Sequence, residues 1–243
     1  LNEGFTVYFE RRIMEDVYGK QYAGMLAKIG RQDLDEEMHV LKDNLDDTKL
    51  KINLKGRNPD DGMTDIPYEK GFLMLRTIEK QVGREKMDEF LNTYFKKHAF
   101  SSINTEYFIE YITNNLLNPE GVKFNLNEWI YEPGLPKNSI ELTSNKFEEV
   151  MSTIKDWSDG KVEAIDICQK DWVIQQKIHF IRNIPADMSN TKLKELDDAC
   201  QYTNSTNSYI TMVWFEQAIK HKYSANNVDN KIESFLNRIG RRW

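Results

Sequence analysis

The sequence predicts an all-α fold, and three observations support this class. Apolar residues recur at spacings of three and four through nearly the whole chain, which is the pattern of helices that bury one face. Glycine, proline or asparagine ends most of these stripes. The 243 residues, of which 40% are hydrophobic and 12% aromatic, are enough for one large folded domain or two of ordinary size.

In the first half of the chain, the periodic stripes alternate with clear stops. Pro67 suits the first turn of a helix, because its missing N–H would have no partner there. Between residues 42 and 66 the pattern breaks. Leu50 to Leu54 alternates apolar and polar residues, as an extended segment does, and residues 56–62 have the composition of a turn. We therefore predict helices at residues 6–18, 21–41, 67–82, 84–97 and 109–116, then a short element around Trp129.

The densest proline cluster, PGLP at residues 133–136, marks the predicted domain boundary. We place a first domain at residues 1–132, a linker at 133–138 and a second domain at 139–243. In the second domain the stripes predict helices at residues 147–157, 162–182, 190–202, 208–223 and 228–239. Their connections are short, so neighbouring helices are expected to pack antiparallel, as in an α-solenoid-like array of the armadillo or HEAT type.

Charge and hydropathy argue against two classes of partner. The 33 basic and 39 acidic residues give a net charge of −6, whereas a nucleic-acid-binding surface needs clustered lysine and arginine. No stretch approaches the roughly 20 apolar residues of a membrane-spanning helix. We therefore expect no nucleic acid and no membrane span.

The cysteines and histidines form no recognisable motif. Cys168 and Cys200 are too few and too far apart for a metal-binding pattern, and both are expected to be free, half-buried thiols. The four histidines include no pair at i, i+4, and each is expected at the surface or at its boundary. The tryptophans at 157, 172 and 214 continue apolar stripes and are expected in the core.

Two side chains carry the chemistry of zinc-assisted peptide hydrolysis. Glu3 opens a helix, and a carboxylate is a normal third zinc ligand beside two histidines. Its alternative is an ordinary first-turn carboxylate, which the helix dipole favours. Tyr68 follows Pro67, and its phenol, with a pKa of about 10, can donate a hydrogen bond to an oxygen that becomes negative. Its alternative is a tyrosine packed between helices, with its hydroxyl bonded to a carbonyl.

Three further carboxylates have an ordinary interpretation, and one of them, Glu10, also has a functional interpretation. Glu10 lies seven residues after Glu3 and therefore on the same helical face, where it can support a metal-bound histidine from outside the ligand shell. Its alternative is a solvated or ion-paired helix residue. Asp60 and Asp61 follow Pro59, so the residues by themselves favour a turn.

Three segments together resemble a known family. They are LNEGFTVYFERR at residues 1–12, PYEKGF at 67–72 and WIYEPGLP at 129–136. Their order and spacing are similar to those of the gluzincin zinc aminopeptidases, in the branch that contains leukotriene hydrolase and aminopeptidase B. The resemblance covers residues 1 to about 140 and extends more loosely to residue 241. It implies the helical half of a thermolysin-like catalytic domain, followed by a helical C-terminal domain of which the chain holds only part.

The resemblance assigns roles to individual positions. It implies that Glu3 is the third ligand of a single zinc ion and that Tyr68 stabilises the oxyanion. Asp60 falls where relatives of the leukotriene hydrolase type carry a pocket aspartate. Arg241 matches an arginine that binds the carboxylate of the substrate.

Other parts of the family pattern are absent from the sequence. No His-Glu-x-x-His occurs, and the Gly-x-Met-Glu-Asn loop that binds the substrate amine is missing. We therefore expect a C-terminal fragment, with two zinc histidines and the general base in upstream segments of the same protein. By itself such a fragment is expected to lack activity and its zinc ion.

The implied function is a zinc aminopeptidase that removes N-terminal residues from peptide substrates. Met63 stands where the leukotriene hydrolase has an aromatic residue, and Trp243 replaces a basic one. Both differences favour aminopeptidase activity over the first alternative, an epoxide hydrolase of the leukotriene type. The second alternative is a non-catalytic helical interaction module.

Overall fold

The computed structural model describes residues 2–239, and every regular element in that range is helical. The all-α prediction is therefore confirmed. No helix of this range is both long and apolar enough to cross a membrane. The α-helices are α1 (Asn2–Tyr18), α2 (Lys20–Val40), α3 (Gly71–Val82), α4 (Arg84–Lys97), α5 (Thr105–Ile112), α6 (Leu126–Tyr131), α7 (Asn145–Ser158), α8 (Ala164–Cys168), α9 (Ile174–Arg182), α10 (Asn190–Cys200), α11 (Ser208–His221) and α12 (Val228–Arg238).

Short helical turns of other types join these helices. The segments Ile66–Lys70 and Thr113–Leu117 are π-helical. The stretch predicted at 162–182 as one helix is two, α8 and α9, with a turn between them. Gln176 accepts a hydrogen bond from the Val173 N–H and so caps the start of α9. Trp172 in this turn is also buried, so the spacing of apolar residues continues from α8 to α9 and does not reveal the break between them.

The chain divides into two compact units, Leu1–Leu142 and Thr143–Trp243. In the first unit, α3 is buried on nearly all sides, with Leu73, Met74 and Ile78 at most 1% exposed. A helix that is buried on most of its faces lies in the centre of a core. The core of this unit therefore forms around α3, and α1 and α4 pack against that helix.

The predicted linker at 133–138 is bound to the first unit. The Gly134 N–H donates to the Thr48 hydroxyl at 2.7 Å, and the Trp129 indole donates to Asn138 at 3.1 Å. Leu135 and Ile140 also pack against the core of the first unit. The boundary between the two compact units falls a few residues later in the chain, between Leu142 and Thr143.

In the second unit, helices two apart in the chain make the main contacts. Helix α9 packs against both α7 and α11, and α8 packs against α10. Alternate helices therefore form the layers, as in an α-solenoid. The predicted core tryptophans Trp157, Trp172 and Trp214 are buried, which confirms that expectation.

Two expectations for the second unit were wrong. Cys168 and Cys200 form a disulfide, with their Cα atoms 5.2 Å apart, and are not free thiols. Packing of α8 on α10 brings the ends of these helices together, which the sequence separation of 32 does not reveal. His179 is not a boundary residue but is buried, and its ring stacks on Phe147 with centroids 3.9 Å apart.

Candidate active site

Helices α1 and α3 cross in direct backbone contact at two glycines. A Cβ added to Gly4 would lie 2.7 Å from the Gly71 Cα, and one added to Gly71 would lie 2.8 Å from the Gly4 Cα. Only glycine permits this approach without displacing one of the helices. Glu3 precedes one glycine and Tyr68 lies three residues before the other, so the crossing brings these two side chains to one place.

Tyr68 lies on the π-helical turn Ile66–Lys70, which leads directly into α3. Such turns are rare and occur frequently at functional sites. Ile66, Glu69 and Lys70 are buried around it, whereas Tyr68 itself is half-buried. The turn is therefore fixed by its neighbours and leaves the phenol accessible.

The phenol of Tyr68 lies within hydrogen-bonding reach of the Glu3 carboxylate. Burial raises the pKa of Tyr68 above its usual range, and the charge of Glu3, the hydrogen bond to it and the charge of Asp65 raise it further. A phenol with a raised pKa keeps its proton at neutral pH and acts as a donor. The two groups that the sequence singles out are therefore neighbours, and one is an acceptor and the other a donor.

Lys70 ties the turn to two other segments. Its side chain is fully buried, and its ammonium group donates to the carbonyl oxygens of Thr48 at 2.9 Å and Glu132 at 3.0 Å. Burial lowers the pKa of Lys70 to about 8, which the charge of Glu132 opposes and that of Lys49 assists. The amine is therefore a buried donor whose charge is costly.

The other candidate side chains among the described residues are exposed. Asp60 is exposed in the turn Pro59–Gly62, where its N–H donates to the Asn58 side chain at 3.2 Å. Asp61 is exposed and pairs with Arg57 at 3.7 Å. Glu10 is exposed on α1. Arg241 lies outside the described residues.

Glu3 is the candidate metal ligand at this site. Among residues 2–239, no group of three or more histidine, cysteine, aspartate or glutamate side chains is arranged to hold a metal ion. A catalytic zinc site needs three protein ligands. Glu3 fits the role of one of them, because a carboxylate at the start of a helix beside a phenol donor is chemically suited to it.

Residues 1–129 match the family model described as the peptidase family M1 domain. This chain belongs to peptidase family M1. Residues 172–243 match the model described as leukotriene A4 hydrolase, C-terminal. The family resemblance that the sequence motifs indicated is therefore confirmed, and the second match lies within the second unit of this M1 chain.

Relatives of this M1 chain match almost all of it. Leucine aminopeptidase 2 of Ajellomyces capsulatus is 29% identical over 254 residues, covering 99% of this chain and 40% of that protein. A leukotriene A-4 hydrolase homolog of Botryotinia fuckeliana is 25% identical over 249 residues, covering 99% and 38%. The solved structure of yeast LTA4 hydrolase in complex with bestatin has a TM-score of 0.85 at 26% identity, covering 99% and 43%. This chain therefore spans about two-fifths of the length of these relatives.

The sequence motifs did not reveal the groups that hold the candidate site together. Gly4 and Gly71 stand inside the recognised motifs, but only the helix crossing explains why they are glycines. Lys70 resembles any other lysine in a helical stretch, and nothing in its spacing marks it as buried. The one available signal was its position between Glu69 and Gly71, inside the same motif as Tyr68.

The glycine contact predicts a strong effect of a single methyl group. Gly71→Ala should lower the free energy of unfolding by about 1–3 kcal/mol, although alanine is the better helix former, because its Cβ would overlap the Gly4 backbone. Urea unfolding of the two proteins measures the difference. Lys80→Ala, an exposed substitution on the same helix, is the control and should change stability little. A more stable Gly71→Ala protein would contradict the crossing.

The lowered pKa of Lys70 predicts that the stability of the fold depends on pH. An unfolded lysine holds its proton up to a pKa of about 10.4, whereas Lys70 in the fold releases it near pH 8. Between these values the unfolded state binds more protons, so stability should rise with pH by up to about 1.4 kcal/mol per unit. Urea unfolding from pH 8 to pH 10 should show this rise in the natural chain and lose it in Lys70→Met. Equal slopes in the two proteins would refute the assignment.

Proposed function

We propose that this chain supplies part of the active site of a zinc-dependent aminopeptidase, which removes N-terminal residues from peptides. The observation that carries the proposal is the meeting of the Glu3 carboxylate and the Tyr68 phenol at the crossing of α1 and α3. Membership of family M1 and the leucine aminopeptidases among its relatives support it. The whole enzyme would include further sequence, because the relatives are about two and a half times as long.

Glu3 would hold the catalytic zinc ion through its carboxylate. The two histidine ligands and a general-base glutamate would come from upstream sequence of the same protein. When bound, such a zinc ion lowers the pKa of a water molecule to about 7 and polarises a carbonyl. Glu10, on the same helix as Glu3, would support a zinc-bound histidine through a hydrogen bond.

Tyr68 would stabilise the charge that develops on the substrate. When water attacks the scissile amide, the carbonyl oxygen becomes negative, and the phenol donates a hydrogen bond to it. A fixed donor gains most when the acceptor carries full charge, so the interaction favours the transition state over the bound substrate. Because its pKa is raised, the phenol supplies the hydrogen bond without losing its proton.

Two other residues would bind the ends of the peptide. Arg241 would pair with the C-terminal carboxylate of a short peptide, for which a guanidinium is well suited. Asp60 would line the substrate pocket and attract a positive group of the substrate. Both roles rest on the correspondence of these positions with the leukotriene hydrolase branch.

Epoxide hydrolysis is the second candidate function. The match of residues 172–243 to the leukotriene A4 hydrolase C-terminal model favours it, as does the relative named a leukotriene A-4 hydrolase homolog. Met63 weighs against it, because this flexible side chain is 67% exposed at a position where an aromatic pocket residue is expected. Turnover of a lipid epoxide by the whole zinc-loaded enzyme would establish this activity, and peptide hydrolysis alone would exclude it.

The role of Tyr68 is tested by removing one oxygen atom. In the whole zinc-loaded enzyme, Tyr68→Phe should lower kcat for an aminoacyl anilide by about 100- to 1,000-fold and leave KM nearly unchanged. Tyr18→Phe, an exposed tyrosine on α1, is the matched control and should leave both constants unchanged. A change confined to KM would show that the phenol binds substrate and does not stabilise the oxyanion.

A further prediction concerns the 243-residue chain by itself. With Glu3 as its one proposed zinc ligand, it should bind no stoichiometric zinc and should not hydrolyse aminoacyl anilides, because a single ligand cannot hold the ion. Equilibrium dialysis followed by metal analysis measures the bound zinc, and an aminopeptidase of known zinc content serves as the reference. One tightly bound zinc per chain would contradict the assignment of the other ligands to upstream sequence.

A further inference from the structure

A buried ion pair links the helix of Glu3 to the turn of Tyr68. Arg11 of α1 donates two hydrogen bonds to Glu69, one at 2.8 Å and one at 3.1 Å. The two side chains are only 10% and 11% exposed. The guanidinium also lies over the Phe72 ring, 4.7 Å from its centroid. Glu69 is the residue next to Tyr68, so the pair holds the π-helical turn directly to α1.

Helix α2 leaves space for this pair. A Cβ at Gly30 would overlap the Glu69 carboxylate, so the glycine permits the carboxylate to lie against the α2 backbone. Asp33 and Asp65 also face Glu69, and their charges repel it. Glu69 is therefore confined on one side by α2 and attracted on the other by Arg11.

Burial of the pair opposes its charge attraction. Burial raises the pKa of the Glu69 carboxyl, and the charge and hydrogen bonds of Arg11 do not fully reverse this effect. Buried ion pairs of this kind are often no more stabilising than apolar residues of the same size. What they do provide is geometry, because a guanidinium and a carboxylate joined by two parallel bonds have one preferred mutual orientation.

We propose that Arg11 and Glu69 are positioning residues that hold the Tyr68 phenol beside the Glu3 carboxylate. The inference rests on the proposed function and adds the groups that set the direction of the Tyr68 side chain. Adjacent residues of a helical turn project in fixed, different directions. When the two hydrogen bonds from the Arg11 guanidinium fix Glu69, they therefore also fix the direction of the Tyr68 side chain.

The test is a comparison of kcat in the whole zinc-loaded enzyme. Arg11→Lys keeps the positive charge but loses the planar fork, and should lower kcat about tenfold to a hundredfold with KM within about twofold. The control is Asp88→Asn. Asp88 accepts a two-bond pair from Arg12 on the same helix, at 2.9 Å and 3.0 Å, but lies on α4 and not on the turn. Asp88→Asn should leave kcat unchanged.

A double-mutant cycle separates positioning from general structural damage. If Arg11 acts through Tyr68, Arg11→Lys should have no further effect on kcat in the Tyr68→Phe background. A loss of the same factor in both backgrounds overturns the positioning role. If Tyr68→Phe lowers kcat and Arg11→Lys does not, only this inference fails. If Tyr68→Phe itself has no effect, the proposed function fails.

A second variant and a spectroscopic measurement do not depend on turnover. The paired substitution Arg11→Met with Glu69→Leu replaces the ion pair by apolar side chains, so it should fold and show the same loss of kcat. In protein with ring-labelled tyrosine, the Tyr68 resonance is assigned by its loss in Tyr68→Phe. Its chemical shift should change in Arg11→Lys, because the ring leaves its place beside Glu3. An unchanged Tyr68 chemical shift in both variants overturns the inference.

Discussion

The contact between the backbones of Gly4 and Gly71 is the constraint on which the candidate site depends. Two helices normally pack with their axes 8–10 Å apart, at a distance set by the side chains between them. At this crossing no side chain intervenes, because a Cβ on either glycine would lie only 2.7 or 2.8 Å from the Cα of the other. The start of α1 and the turn before α3 are thereby close enough for the Glu3 carboxylate to raise the pKa of the Tyr68 phenol.

The two residues after Tyr68 fix the turn by opposite means. Glu69 carries a buried negative charge that is bound to Arg11, and Lys70 carries a buried positive charge that is bound to backbone carbonyls of Thr48 and Glu132. Each charge costs free energy when it leaves water, and each has few arrangements in which that cost is offset. The turn therefore has little freedom to move, which suits a site where a donor must already be in place before charge develops.

The second unit uses a buried polar centre and a covalent link. The Asp197 carboxylate accepts hydrogen bonds from the Thr203 N–H and hydroxyl at 2.8 Å and 2.7 Å, and from the Tyr223 phenol at 3.0 Å. Trp214 donates to the same threonine at 2.9 Å. A buried carboxylate is tolerated only when its oxygens are satisfied in this way. Together with the Cys168–Cys200 disulfide, this network joins α10 to the helices around it.

The sequence by itself determined the helical class, most helix positions and the family, because apolar periodicity and three short motifs are local properties of the chain. It also singled out Glu3 and Tyr68, which carry chemistry that their residue types disclose. Only the tertiary structure decided that these two side chains lie together and that Cys168 and Cys200 are joined. It likewise decided that Arg11 and Glu69 are buried together. Contacts between residues 32 to 65 positions apart follow from how helices pack, and the local pattern carries no record of that packing.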